Sequence, residues 1–260
     1  MTAAGAPAAV REEAMDTWPA TAVRSSARVR WRRAGAQPRA VVLVLHGGQE
    51  HGLQPPGRWT PARLRMLPFV SALARATRGR GVAVGEVVYR CEGWNGGRAD
   101  AAVDAVAAVE EVAADWGPVP VVLVGHSMGG RAALRAAGGP AVTGVVALAP
   151  WCPPGEPCTQ LAGRRLAVVH GSADRVTEPA ASRRTAREAR AAGAEVCVLT
   201  LPGGRHAMLE RAADWHAVTT RLATGLLGLT PLPGEVCDAF DRRGTDPGGL
   251  DLPLPRRRTL

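Results

Sequence analysis

The chain has 260 residues, 46% of them apolar, which is enough for one hydrophobic core and argues against a disordered polymer. Its net charge of +9 invites a nucleic-acid reading, but the make-up of that charge weakens it. There is no Lys and no Ile, one Asn, one Tyr and two Phe, and all 32 basic residues are Arg, spread along the chain apart from Arg256, Arg257 and Arg258. The depleted residues are those with A/T-rich codons, so the charge reads as the bias of a GC-rich genome and a solvated Arg surface, with no nucleic-acid partner expected.

Taken in chain order, residues 1–20 are rich in small residues and read as a flexible N-terminal segment. They lack the basic start and apolar stretch of a signal peptide, with "REE" standing where that stretch belongs. "AVVLVL" (Ala40 to Leu45) is a buried-strand run. "TPARLRMLPFVSALARA" is a helix with Thr60 at the N-cap and Pro61 at its first position, and Pro68 is placed to kink it. "VAVGEVVYR" is the next strand. An alanine-rich helix follows and ends at Gly117 and Pro118. "VPVVLVG" is a strand, Ser127 to Ala137 a helix, "VTGVVALAP" a strand, and "LAVVH" another strand after a short loop. "EPAASRRTAREARAAG" is a helix closed by Gly193, "AEVCVLTLP" a strand, and "HAMLERAADWHAVTTRLATGLL" a closing helix. Strands apolar throughout that alternate with helices predict an α/β fold, a mostly parallel central sheet with helices on both faces. The domain is expected over residues 21–229. Residues 230–260, with "TPLPG", "TDPGG" and "LDLPLPRRR", read as a Pro/Gly-rich C-terminal tail, draped on the surface or disordered.

No apolar run reaches the roughly 18 residues that a membrane-spanning helix needs. The five cysteines, Cys91, Cys152, Cys158, Cys197 and Cys237, include no C-x-x-C pair and no His at zinc spacing, so no metal is expected. Cys197 reads as a buried thiol. Cys152 and Cys158 flank "PPGEP", close enough in sequence to approach each other. A reducing cytoplasm is the expected compartment.

Gly125-His126-Ser127-Met128-Gly129 fits the nucleophile elbow G-x-S-x-G, and it stands where a buried strand turns into a helix. A serine at such an apex sits in strained backbone, glycines two positions away leave it room, and the helix N-terminus favours developing negative charge. The spacing fits neither dinucleotide nor P-loop fingerprints. A serine needs a base, and the base an orienting acid; in this arrangement they follow in the order Ser, acid, His. Asp174 lies on the loop just past "LAVVH". His206 ends the glycine-rich loop "LPGGRH" after the next strand, whereas His170 stands at a strand end and His216 inside a helical run. The catalytic residues predicted are therefore Ser127, Asp174 and His206. The oxyanion donors predicted are the backbone N–H groups of Met128 and of Gly48, or Gln49, in "LHGGQEHG". His46 and His126 read as structural. Trp59, Trp94 and Trp151 are candidate pocket walls.

"HGGQEH", "GHSMGG", "HGSADRV" and "PGGRHAML" together resemble the signatures of the α/β-hydrolase superfamily over about Val41 to Leu227, most of all its monoacylglycerol lipase and lysophospholipase-like branch. The resemblance implies a serine hydrolase of the α/β-hydrolase fold in which Ser127 matches the nucleophile, Asp174 the acid, His206 the base, and Gly48 and Met128 the oxyanion donors, with no cofactor. The chain departs from that branch in one respect. Only "PWCPPGEPCTQLAGRR" separates "VVALA" from "LAVVH", too little for a helical cap. An open site is expected, and the chain is similar in this to small carboxylesterases and to dienelactone-hydrolase-like enzymes, although those use a cysteine at the elbow. The function expected is hydrolysis of small-molecule esters of small or medium acyl groups. The alternatives are a thioesterase, peptidase or acyltransferase on the same three residues, or a binding protein on a hydrolase scaffold.

Overall fold

In the computed structural model, residues 28–34 and 36–254 are described; residues 1–20, and Arg256 to Arg258, lie outside them. Six expected strands are present: Ala40–Leu45 (β2), Val82–Val88 (β3), Val121–His126 (β4), Val142–Leu148 (β5), Arg165–Gly171 (β6) and Glu195–Leu201 (β7). They run parallel in one sheet with the order β3-β2-β4-β5-β6-β7. Two further strands extend it: Arg28–Arg33 (β1), antiparallel to β3, and Leu252–Pro253 (β8), parallel to β7.

Alternation along each strand divides the core. Val41, Leu43 and Leu45 face helices Asp100–Trp116 (α2), Met128–Ala136 (α3) and Pro179–Ala191 (α4). Val42 and Val44 face Pro61–Ala76 (α1), Ala212–Leu226 (α5) and Gly234–Asp241 (α6). A strand apolar at every position is stable only when both its faces are covered, and a fully buried Val or Leu contributes about 1.5–3 kcal/mol relative to exposure. Thr60 and Pro61 open α1 as expected, and the helix continues through Pro68. No helix of the described residues is long and apolar enough to cross a membrane.

Two features depart from the sequence pattern. Strand β1, "RVRWRR", has no apolar run. It is an edge strand, and burying Val29 against the sheet suffices while Arg30 and Arg32 stay in solvent. The segment from Thr230, read as a tail, is built into the domain through α6 and β8 up to Leu254. Val236, Ala239 and Phe240 are buried, and the Arg190 guanidinium in α4 is buried among the carbonyls of Ala239, Asp246 and Gly248. One arginine serving scattered carbonyls leaves no periodic signal in the sequence.

The parallel strands end together at one edge of the sheet, where loops of α/β sheets bind ligands. The connection from Leu148 to Arg165 carries one short 3-10 turn, Thr159–Leu161, and no cap domain is evident among the described residues. Glu156, in the middle of that connection, is buried and fastened to α3 by ion pairs to Arg131, at 2.7 Å, and to Arg135. Cys152 and Cys158 are free, buried thiols. Burial pushes them up to about 12 and about 11, and Cys197 higher still.

Candidate active site

Ser127 follows the last residue of β4 and precedes the first of α3, with φ 55° and ψ −119°. For a non-glycine residue such backbone costs about 1–3 kcal/mol. Three hydrogen bonds hold it: the Ser127 N–H donates to Leu148, and the N–H groups of Arg131 and Trp151 donate to the Ser127 carbonyl. The flanking glycines are required by space. A Cβ on Gly125 would lie 2.2 Å from the Gly129 carbonyl oxygen, and one on Gly129 would lie 2.4 Å from the carbonyl oxygens of Leu45 and His46.

The structure brings Ser127, His206 and Asp174 into one hydrogen-bonded chain. His206 Nε2 is 3.1 Å from Ser127 Oγ, and His206 Nδ1 is 2.9 Å from Asp174 Oδ2. An ionised carboxylate only accepts, so Nδ1 carries the hydrogen and Nε2 faces Ser127 Oγ with its lone pair free to accept. Asp174 Oδ1 accepts from the N–H groups of Val176, at 2.8 Å, and Thr177, at 3.0 Å. Thr177 Oγ lies 3.0 Å from Oδ2, and His170 Nε2 lies 3.2 Å from it. Burial alone would raise the Asp174 pKa; the hydrogen bonds from His170, His206 and the two amides outweigh it and hold the carboxyl well below the usual range. The Asp174 carboxyl is thus ionised at neutral pH.

Two other histidines shape the surroundings. His126 is buried, its Nε2–H donates to the His206 carbonyl at 3.0 Å, and its ring lies 4.7 Å from that of His206. Burial, with the neighbouring His206 second, lowers it to about 3, so it is neutral. Its Nδ1 has no partner among the described residues. His46 donates from Nδ1 to the Gly47 carbonyl and packs edge-on against Tyr89, whose hydroxyl donates to the His46 carbonyl. Burial lowers it to about 4. Neither is placed as a second base.

Of the two candidate oxyanion loop donors, Gln49 is already engaged: its N–H donates to the Glu92 carbonyl at 2.9 Å, and this corrects its place among the candidates. The N–H groups of Gly48 and Met128 make no backbone hydrogen bond of that kind among the described residues. Gly48 packs tightly beneath this position. A Cβ there would lie 2.3 Å from Met128 Cε and 2.5 Å from the Glu92 carbonyl oxygen.

The three tryptophans part company. Trp151 is half-buried and tied to Ser127 through its N–H. Trp94 is buried in the core, edge-on to Trp151, and the Arg131 guanidinium lies 3.9 Å from the Trp94 ring centroid and 4.5 Å from that of Trp151. Trp59 is 76% exposed and lines a cavity of about 400 Å³ between β1 and α1, with Arg30, Arg58, Arg63 and Glu86 among its walls and none of Ser127, Asp174 or His206. The sequence sets His170 aside as a strand-end residue and gives Thr177 and Arg131 no role at the site. A threonine three residues after the acid was the one readable signal. Among the described residues no group of three or more His, Cys, Asp or Glu is arranged to hold a metal ion.

Comparison with known proteins bears on the family and the fold. Residues 41–245 match the alpha/beta hydrolase family. No curated protein sequence matches the chain. Among solved structures, an alpha-beta serine hydrolase homologue from Coxiella burnetii is similar at 19% identity and TM-score 0.55, covering 75% of this chain and 90% of that one. A serine hydrolase without lid from Xanthomonas campestris is similar at 20% identity and TM-score 0.51, covering 80% and 89%. A thermophilic esterase from Thermogutta terrifontis is similar at 20% identity and TM-score 0.56, covering 80% and 91%. With its parallel sheet, its elbow and a family match over most of its length, the chain belongs to the alpha/beta hydrolase family.

Proposed function

We propose that the protein is a serine esterase that hydrolyses carboxylic esters of small or medium acyl groups through an acyl-enzyme. The hydrogen-bonded chain from a strained Ser127 through His206 to Asp174 carries this reading. His206 Nε2 takes the hydroxyl proton as Ser127 Oγ attacks the ester carbonyl carbon. The carbonyl oxygen, now an alkoxide, is met by the N–H groups of Met128 and Gly48. The intermediate collapses, the alcohol leaves with the proton held by His206, and the acyl group stays on Ser127. Water then attacks with His206 again as base and releases the acid. Asp174 fixes the imidazole tautomer and stabilises its cation. The chemistry calls for no cofactor.

The short connection from Leu148 to Arg165, pinned by Glu156, supports an open site suited to small substrates. The Thermogutta terrifontis esterase has been solved with propionate and with butyrate bound, which sets the range in which to begin. We place the protein in the cytoplasm, where its buried and exposed thiols stay reduced, with a small-molecule ester and not nucleic acid as its partner.

A series of p-nitrophenyl esters from acetate to dodecanoate, with an acyl-CoA and an aminoacyl anilide beside it, tests the reading. The expected result is an optimum at short or medium acyl length, no activation at an interface, and loss of turnover in Ser127→Ala. Failure of folded protein to cleave any ester would overturn it, as would a sharp preference for long chains. Faster cleavage of the thioester or the anilide would move the assignment to that leaving group.

A further inference from the structure

His170 lies at the end of β6, fully buried, and takes no part in the proton transfers above. Its surroundings are unusually defined. Nε2 faces the Thr177 carbonyl oxygen at 3.1 Å and Asp174 Oδ2 at 3.2 Å. Both are acceptors, so Nε2 carries the hydrogen and shares it between them. Nδ1 lies 2.8 Å from Ser182 Oγ and receives that hydroxyl proton, which ties the ring to the first turn of α4. Two imidazoles thus meet on one carboxylate oxygen, His206 from the solvent side and His170 from within the fold.

We infer that His170 is the positioning residue of the acid: its buried N–H, anchored through Ser182, aims Asp174 Oδ2 at His206. The inference rests on the serine-hydrolase reading of Ser127, Asp174 and His206. The two backbone amides on Oδ1 fix one oxygen of the carboxyl and leave the other to be directed. Thr177 offers Oδ2 a single proton, and the Ala149 carbonyl, 3.2 Å from the same hydroxyl, competes for it. His170 approaches on a ring that cannot turn, since Ser182 holds one nitrogen and the Thr177 carbonyl holds the other. It therefore supplies a donor whose direction is set by the sheet, by α4 through Ser182, and by the Thr177 carbonyl at the far end of the loop that carries Asp174.

The test compares His170→Leu, His170→Gln and Ser182→Ala with wild type in steady-state hydrolysis of p-nitrophenyl acetate and in the downfield proton spectrum, where the His206 Nδ1–H bonded to Asp174 is observed. Glutamine places an N–H where Nε2 stands. For His170→Leu, kcat is expected to fall about 10- to 100-fold, the range of a hydrogen bond to a charged group, with KM within about twofold. His170→Gln is expected to recover most of that loss and to keep the downfield resonance, which in His170→Leu moves or broadens. Ser182→Ala is expected to lower kcat severalfold, and it decides the matter should His170→Leu fail to fold. Wild-type kcat in folded His170→Leu and Ser182→Ala would overturn the inference, as would equal loss in Leu and Gln variants. Lack of ester turnover by wild type contradicts the serine-hydrolase reading instead; the resonance needs no substrate and still reports whether His170 sets the His206–Asp174 pair.

Discussion

The two sides of the serine are held in place by different means. On one side, the Asp174 Oδ2 that meets His206, and His206 itself, are held by side chains: His170, Thr177 and Ser182 around the carboxylate, and His126 against the backbone of His206. On the other, the loop after β2 is held largely by main chain, with the Asn95 side chain bridging the two backbone groups of Gly52. Gln49 donates to Glu92 and accepts from Trp94, Gly93 donates to Gly52, and Asn95 donates to Glu50. The first side fails when a residue changes its chemistry. The second fails when a residue changes its shape.

The largest expected effect is on the side-chain half. Asp174→Asn keeps the volume and removes the acceptor that selects the His206 tautomer, so kcat should fall about 10⁴-fold with the fold intact. A loss under tenfold, measured on an ester that wild type cleaves well, would show that the shell around Asp174 sets the tautomer without its charge. Gly48→Ala probes the other half by shape alone. The added methyl collides with Met128 and the Glu92 carbonyl, displaces the loop, and should lower kcat about 10²- to 10³-fold, the range of one lost oxyanion donor. Unchanged kcat there would remove Gly48 from the mechanism.

These two halves were unequally legible in the sequence. Asp174 and His206 stood out because carboxylate and imidazole are the chemistry, and strand order limits where they can lie. Gly48 stood ahead of Gln49 only because a small residue permits close approach, since an oxyanion donor is an N–H that every residue but proline has. What distinguishes them is the bond from Gln49 to Glu92, a contact between loops that no residue type announces. The strands of the sheet were readable from continuous apolar runs. Strand β1 and the stretch built around Arg190 were not, since each depends on partners distant in the chain.

A smaller effect compares the halves through one buried histidine each. His126 beside His206 and His46 beside the oxyanion loop are lowered by burial to about 3 and about 4. The unfolded chain takes up a proton at each below its ordinary value near 6.5, and the folded protein does not, so stability is lost as pH falls. Between pH 6.5 and 5 the loss should be about 1.5 kcal/mol for each histidine, above the range in which Asp174 contributes. Urea unfolding at the two pH values measures it, and His46→Gln should remove about half of the dependence. A flat profile would mean that water reaches both rings. The smallest effect belongs to Gln49→Ala, which keeps the N–H and its bond to Glu92 and should leave kcat within about twofold of wild type. A loss matching that of Gly48→Ala would place the Gln49 side chain on the substrate.

The central claim is that Ser127 is a nucleophile primed by His206, and a fluorophosphonate probe reads this without any knowledge of the substrate. The account predicts one covalent adduct per chain, mapped by mass spectrometry to the peptide containing Ser127, lost in Ser127→Ala and strongly slowed in His206→Ala. Folded wild-type protein that does not label, or that labels at another residue, would contradict it.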